Sequence, residues 1–238
     1  MATNGTPGNT FEAQHLVCVR GERPVFGAVD FRVVSGQALL LKGPNGSGKS
    51  SLMRILAGLL RPAGGTLTWA GEPVFDALDE HRQRLHYVGH LDGIKPAATV
   101  AEHVAFWARL RGAGQPAADA LAKVGLEGLA DVPGRFLSAG QRRRVSLARL
   151  VATPAPLWLL DEPTVTLDVE ATARLEALIA AHRATGGIAV VATHTDIKME
   201  DAILLDMAGH RAGMVAADET TGGVRDAKTS AEEAWGQW

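Results

Sequence analysis

The sequence is short of cysteine, of any excess of one charge and of long apolar runs, and each shortage excludes a class of protein. A single cysteine in 238 residues rules out an internal disulfide and a cysteine-based zinc cluster. Cys18, within Leu16-Val17-Cys18-Val19, reads as a buried small hydrophobe. Lysine and arginine number 24 and aspartate and glutamate 26, a formal net charge of −2. Residues 219–238 carry four acids (Glu219, Asp226, Glu232, Glu233) and two bases (Arg225, Lys228), so the rest balances at 22 against 22. Broad nucleic-acid binding needs a net basic face, so no nucleic-acid partner is expected. No apolar run approaches the roughly 18 residues of a membrane span. Met1 to Thr10 lacks a basic stretch followed by an apolar one, so no secretory signal is expected. The default expectation is the cytoplasm, with any membrane association made through a partner.

What is present is an ordinary globular composition, 46% hydrophobic and 21% charged. Residues 1–10 read as a flexible arm, 11–218 as one domain and 219–238 as a disordered tail in which Trp235 and Trp238 are either free or docked. Leu16–Val19 and Val29–Val34 alternate as antiparallel strands do. Ala38–Leu41, Thr66–Trp69, Leu85–Val88, Leu157–Leu160, Ile188–Ala192 and Ile203–Leu205 are short apolar strands, with Gly213–Ala216 a further candidate. Helical spacing covers Ser50–Leu60, Val100–Leu110, Ala117–Val124, Gly140–Leu150 and Val169–His182. Short apolar strands alternating with helices predict an α/β fold with a mostly parallel core sheet. An antiparallel β portion precedes it, and residues of about 90–150 form an inserted helical subdomain. Trp69, Trp107 and Trp158 read as core residues, the run Arg142-Arg143-Arg144 as a solvated helix face, and the scattered histidines as ordinary core or surface residues.

Gly43-Pro44-Asn45-Gly46-Ser47-Gly48-Lys49-Ser50 fits G-x-x-x-x-G-K-[ST] without mismatch, and Ser51 follows it. The segment lies between a buried strand and a helix, where backbone N–H groups and the helix N-terminus can cradle phosphates. Lys49 is expected to reach the β- and γ-phosphates of ATP, and Ser50 to ligate Mg²⁺. Leu157-Trp158-Leu159-Leu160 ends in Asp161-Glu162. Asp161 can hold Mg²⁺, and Glu162, one residue on, can polarise the attacking water.

Leu137-Ser138-Ala139-Gly140-Gln141 resembles the LSGGQ signature of ABC-transporter ATPases, with Ala139 replacing the first glycine. Ser138 follows Gly43 by 95 residues and precedes Asp161 by 23, a spacing that also fits. The resemblance covers about residues 13–216 and implies the phosphate-loop NTPase fold of the ABC type. It implies that Ser138, Ala139, Gly140 and Gln141 act on nucleotide held by an opposite subunit, two ATPs being sandwiched in a dimer. A homodimer, or a partner with its own ATPase domain, is then expected. Val165-Thr166-Leu167-Asp168 resembles the D-loop, with Asp168 the matching residue. Ala192-Thr193-His194 resembles the switch segment, His194 contacting the γ-phosphate.

Two positions depart from the family pattern. Nine residues before Thr99-Val100, where a Q-loop glutamine belongs, stands His90, with Leu91 beside it. No adenine-stacking aromatic occupies the expected place in the first hairpin: counting back lands near Arg20, and Phe26 is the nearest aromatic. Tyr87-Val88-Gly89-His90-Leu91-Asp92-Gly93-Ile94-Lys95, the signature extension through Val145 and the short chain after His194 are similar to the ATP-binding subunits of bacterial cytochrome c-type biogenesis, the haem exporter ATPases. That resemblance implies an ATP hydrolase on the cytoplasmic face of the inner membrane, coupled to an integral membrane permease and to haem-handling proteins. The alternatives are the ATPase of another ABC exporter, or a soluble ABC protein acting mechanically on nucleic acid or ribosome. The 95-residue spacing leaves no room for the coiled-coil insertion that the last usually carries.

Overall fold

The structure is a computed structural model, and it describes residues 9–112 and 116–210. Residues 1–8, the candidate strand Gly213–Ala216 and the tail 219–238 lie outside the described residues.

The chain opens with a hairpin, β1 (Thr10–Arg20) and β2 (Arg23–Val34). Gly21 and Glu22 both take positive φ, 50° and 62°, as a tight two-residue hairpin turn requires. β1 therefore starts at Thr10, paired with Val34. It also pairs antiparallel with β4 (Gly64–Trp69), which β5 (Glu72–Pro73) extends, giving the order β2-β1-β4-β5. Leu16 faces Val29 as the alternation predicts, and register shifts on either side of that pair let both strands run longer than expected.

The second sheet is wholly parallel. Its strands are β3 (Ala38–Lys42), β6 (Leu85–Val88), β7 (Leu157–Asp161), β8 (Ile188–Ala192) and β9 (Ile203–Asp206), in the order β6-β7-β8-β3-β9. α1 (Lys49–Leu56) follows β3 and stops short of the expected Leu60. Gly58, at φ 66°, turns the chain out of the helix there. α2 (Leu78–Gln83) and a 3₁₀ turn at Val74–Asp76 were not legible in the sequence pattern. α3 (Val100–Leu110), α4 (Ala117–Lys123) and α5 (Ala139–Ala152) form the inserted helical subdomain, and α6 (Val169–Ala184) crosses from β7 to β8.

Side chains of a strand alternate between its faces, so each central strand feeds two cores. Leu157 and Leu159 of β7, with Ile188 and Val190 of β8, join Phe11, Phe26, Leu52 and Met53 between the two sheets. Trp158 and Leu160, with Ala189 and Val191, join Val104, Leu121, Val145 and Leu175 beneath the helices. Burial on both faces explains the uninterrupted apolar runs of β7 and β8. Trp69 and Trp158 are buried and Cys18 is enclosed, as expected. Trp107 is not a core residue: it is half-buried on α3, with the guanidinium of Arg149 over its ring at 5.0 Å.

Candidate active site

Three neighbouring strands of the parallel sheet, β7, β8 and β3, end on the same side, where ligands of such sheets bind. The phosphate-loop sequence leaves β3, Asp161 and Glu162 end β7, and His194 follows β8. Together they enclose a cleft of about 400 Å³ lined by Asn45, Gly46, Lys49, Ser50, Glu162 and His194, with Val25, Gly48, Ser51, His90 and Val165 completing it.

The loop turns by glycine. Gly43, Gly46 and Gly48 take φ of 139°, 78° and 97°. Gly48 also has no room for a side chain, since a Cβ there would lie 2.8 Å from the Phe26 ring. Lys49 is buried, and its Nζ donates to the carbonyls of Gly43 at 2.7 Å and Pro44 at 3.2 Å. The Ser47 hydroxyl is buried without a protein partner. Ser50 Oγ donates to Asp161 Oδ1 at 3.3 Å, joining α1 to the end of β7. Burial pushes the Asp161 carboxyl above its ordinary pKa, opposed by the Ser50 hydrogen bond.

Glu162 sits at φ 49°, a left-handed conformation unusual outside glycine. Its N–H donates to Ala192 O at 2.7 Å and its carbonyl accepts from Arg143 at 2.7 Å. Its carboxylate lies 2.9 Å from His194 Nδ1 and accepts from the His194 N–H at 3.3 Å. One carboxylate thus ties the end of β7 to the loop after β8. A hydroxyl beside a carboxylate, an ammonium held by loop carbonyls at a helix N-terminus and a second carboxylate beyond them suit a nucleoside triphosphate with a hard divalent cation.

The signature segment lies elsewhere. Ser138 caps α5: its hydroxyl accepts from Gln141 N at 3.1 Å while Gln141 Oε1 accepts from Ser138 N at 2.8 Å. Ser138 and Ala139 are exposed, and none of residues 138–141 lines the cleft of its own chain. Gly140 packs on the Thr166 carbonyl, where a Cβ would lie 2.7 Å from the oxygen. Asp168 caps α6, accepting from Ala171 N at 2.8 Å.

Of the two residues near the place where an adenine-stacking group belongs, neither lines the cleft: Phe26 is 0% exposed, walled into the core behind Gly48, and Arg20 is exposed but outside the lining. One expectation is corrected. Arg143 is not on a solvated face: it is 3% exposed and donates to five acceptors, among them the carbonyls of Asp161 and Glu162. Its place in an arginine run hid it, since nothing local announces acceptors far away in sequence.

The family model described as ABC transporter matches residues 26–165, more than half of the chain. The chain belongs to the ABC transporter ATP-binding family. This ABC ATPase is 58% identical over 196 residues to the cytochrome c biogenesis ATP-binding export protein CcmA of Rhodospirillum rubrum, covering 82% of this chain and 84% of that one. It is 52% identical over 199 residues to the protein of that name from Paramagnetospirillum magneticum, covering 82% and 92%. Among solved structures, an ABC transporter ATP-binding protein from Pyrococcus furiosus superimposes with a TM-score of 0.75 at 21% identity, covering 85% of this ABC ATPase and all of that chain. CbiO1 of Clostridium perfringens, part of the ABC transporter complex cbiONQ, gives 0.65 at 25% identity over 78% of each chain.

Proposed function

We propose that this ABC ATPase binds and hydrolyses ATP as the energising subunit of an exporter complex for c-type cytochrome biogenesis. The observation that carries the ATPase reading is the gathering of Lys49, Ser50, Asp161, Glu162 and His194 in one cleft at adjoining strand ends. The cytochrome c assignment rests on the CcmA relatives, 58% and 52% identical over most of their length.

In this reading the loop of residues 43–51, through backbone N–H groups other than at Pro44, and the Lys49 ammonium bind the β- and γ-phosphates. Ser50 and Asp161 hold Mg²⁺, which neutralises charge on the phosphate oxygens when bound. Glu162 accepts a proton from the attacking water, and His194, in contact with the same carboxylate, orients it and faces the γ-phosphate. Ser138 and its neighbours stand outside the cleft with a helix N-terminus exposed, which suits phosphate contact across a homodimer. Asp168 begins the helix after the D-loop at the same interface.

No helix among the described residues is long and apolar enough to cross a membrane. As an ABC ATP-binding subunit, the chain works with an integral membrane permease. Leu91 is 83% exposed and Phe136 67%; Ile94 and Lys95 pack on Gly134, which brings their two loops together as an apolar contact for that permease. The site would face the cytoplasm from the inner membrane, with haem-handling proteins as further partners. The test is mild-detergent purification of the tagged chain from native membranes, with the co-purifying proteins identified. A multi-spanning protein together with haem-handling proteins supports the assignment. A different permease keeps the ATPase and discards the cytochrome role.

A further inference from the structure

β6 is an edge strand, and an edge strand leaves a row of carbonyls unpaired. The carbonyl of Arg84 turns inward to Leu157 N, so those of Leu85, Tyr87 and Gly89 turn outward. Arginines of the helical subdomain take all three. Arg111, just past α3, donates to Leu85 and, at 2.7 Å, to Gln83. Arg149 of α5 donates to Tyr87, and Arg143 of α5 to Gly89 at 2.8 Å.

Arg143 differs from the other two because its guanidinium also reaches the site. Nη1 pairs with Asp92 at 3.1 Å, Nη2 bonds the carbonyls of Asp161 at 2.9 Å and Glu162 at 2.7 Å, and Nε bonds that of Pro163 at 3.2 Å. One rigid, planar group therefore ties the loop that carries His90 to the strand end that carries Glu162. His90 and Glu162 line the same cleft. Glu162 holds a left-handed backbone that costs energy, and the Arg143 bond to its carbonyl is one of three that secure its backbone, beside Glu162 N–H to Ala192 O and Val165 N–H to the same carbonyl at 3.4 Å.

We propose that Arg143 is a positioning residue for hydrolysis. It holds the Glu162 carboxylate in place and transmits a displacement of the 89–92 loop to it. Because Arg143 touches neither a phosphate-loop residue nor the Glu162 side chain, its loss changes turnover and leaves ATP binding intact. The proposal rests on Glu162 as the base, so Glu162→Gln is measured beside it.

The experiment takes the full chain and measures ATP turnover, affinity for a fluorescent ATP analogue and thermal melting. The variants are Arg143→Gln, Arg143→Lys and Asp92→Ala, with Arg61→Gln as a surface control. Arg143→Gln is expected to lower kcat by about tenfold or more with nucleotide Kd within about twofold of the parent. Arg143→Lys retains the charge but cannot span five acceptors, and should lose most of the rate as well. Asp92→Ala, which removes one tether, should lower kcat about two- to fivefold with Kd kept. Parental kcat in Arg143→Gln, or kcat and affinity falling in parallel, overturns the proposal. Should Arg143→Gln fail to fold, Asp92→Ala decides: a lower kcat with unchanged Kd supports it, and parental kcat overturns it. Parental turnover in Glu162→Gln removes the reading of Glu162 itself, whereas an inactive Glu162→Gln beside a fully active Arg143→Gln removes Arg143 alone.

Discussion

Lys49 Nζ donates to the carbonyl of Gly43 at 2.7 Å, so the ammonium of the phosphate loop stands inside the loop and buried. It is poised for an anion entering the loop at the N-terminus of α1. A charge-assisted hydrogen bond is worth about 1.5–3 kcal/mol. Lys49→Ala should therefore weaken ATP binding by about ten- to a hundredfold, measured by titration with a fluorescent analogue. Unchanged affinity would remove Lys49 from the phosphate site.

Ser138 caps α5 on an exposed surface away from the cleft of its own chain. If it acts on nucleotide held by a second copy, Ser138→Arg should leave ATP binding by the single chain within about twofold and stop hydrolysis by the dimer. Loss of the cap costs about 1 kcal/mol of stability, so melting is followed in parallel. Full turnover in the variant would contradict a site shared between subunits.

The loop, the acid pair and His194 were legible because each lies in consecutive residues beside a strand whose pattern is equally local. β3, β7 and β8 are five-residue strands that open with at least four apolar residues, and the residues that leave them could be placed before their neighbours were known. α3 begins at Val100 because Thr99 and Glu102 form a capping box, another local signal. What was hidden depends on distant partners. Arg143 reads as a surface charge until its acceptors, 18 to 54 residues away, are brought to it. Phe26 is the aromatic nearest the expected adenine place in sequence, and only the fold shows it enclosed behind Gly48. Trp107 looks like core by composition, yet it lies at the helical rim beneath Arg149.

His86 gives the fold a predictable response to acid. It is buried, with Nε2 2.9 Å from Thr153 O, and burial, reinforced by Arg111 and Arg149, lowers its pKa from 6.5 to about 3. Burial lowers His81 and His182 in the same direction. Between pH 6.5 and 3 the unfolded chain binds a proton at His86 that the folded chain does not. This contribution is therefore whole above pH 6.5 and is lost as pH falls toward 3. Urea unfolding should show about 2 kcal/mol lost from this residue between about pH 7 and 5. His86→Gln should flatten that slope; an unaltered slope would assign the acid sensitivity to other groups.

In the proposed mechanism Glu162, held by Ala192, Arg143 and His194, activates water against a phosphate bound by the loop after β3. Glu162→Gln keeps the shape and removes the base. ATP turnover of the purified variant should fall by about a hundredfold or more, by analogy with the loss of a general base. ATP affinity should be retained, and size-exclusion chromatography with ATP should show the chain trapped as a dimer. Turnover near the parental rate would show that another group takes the proton and would contradict the account.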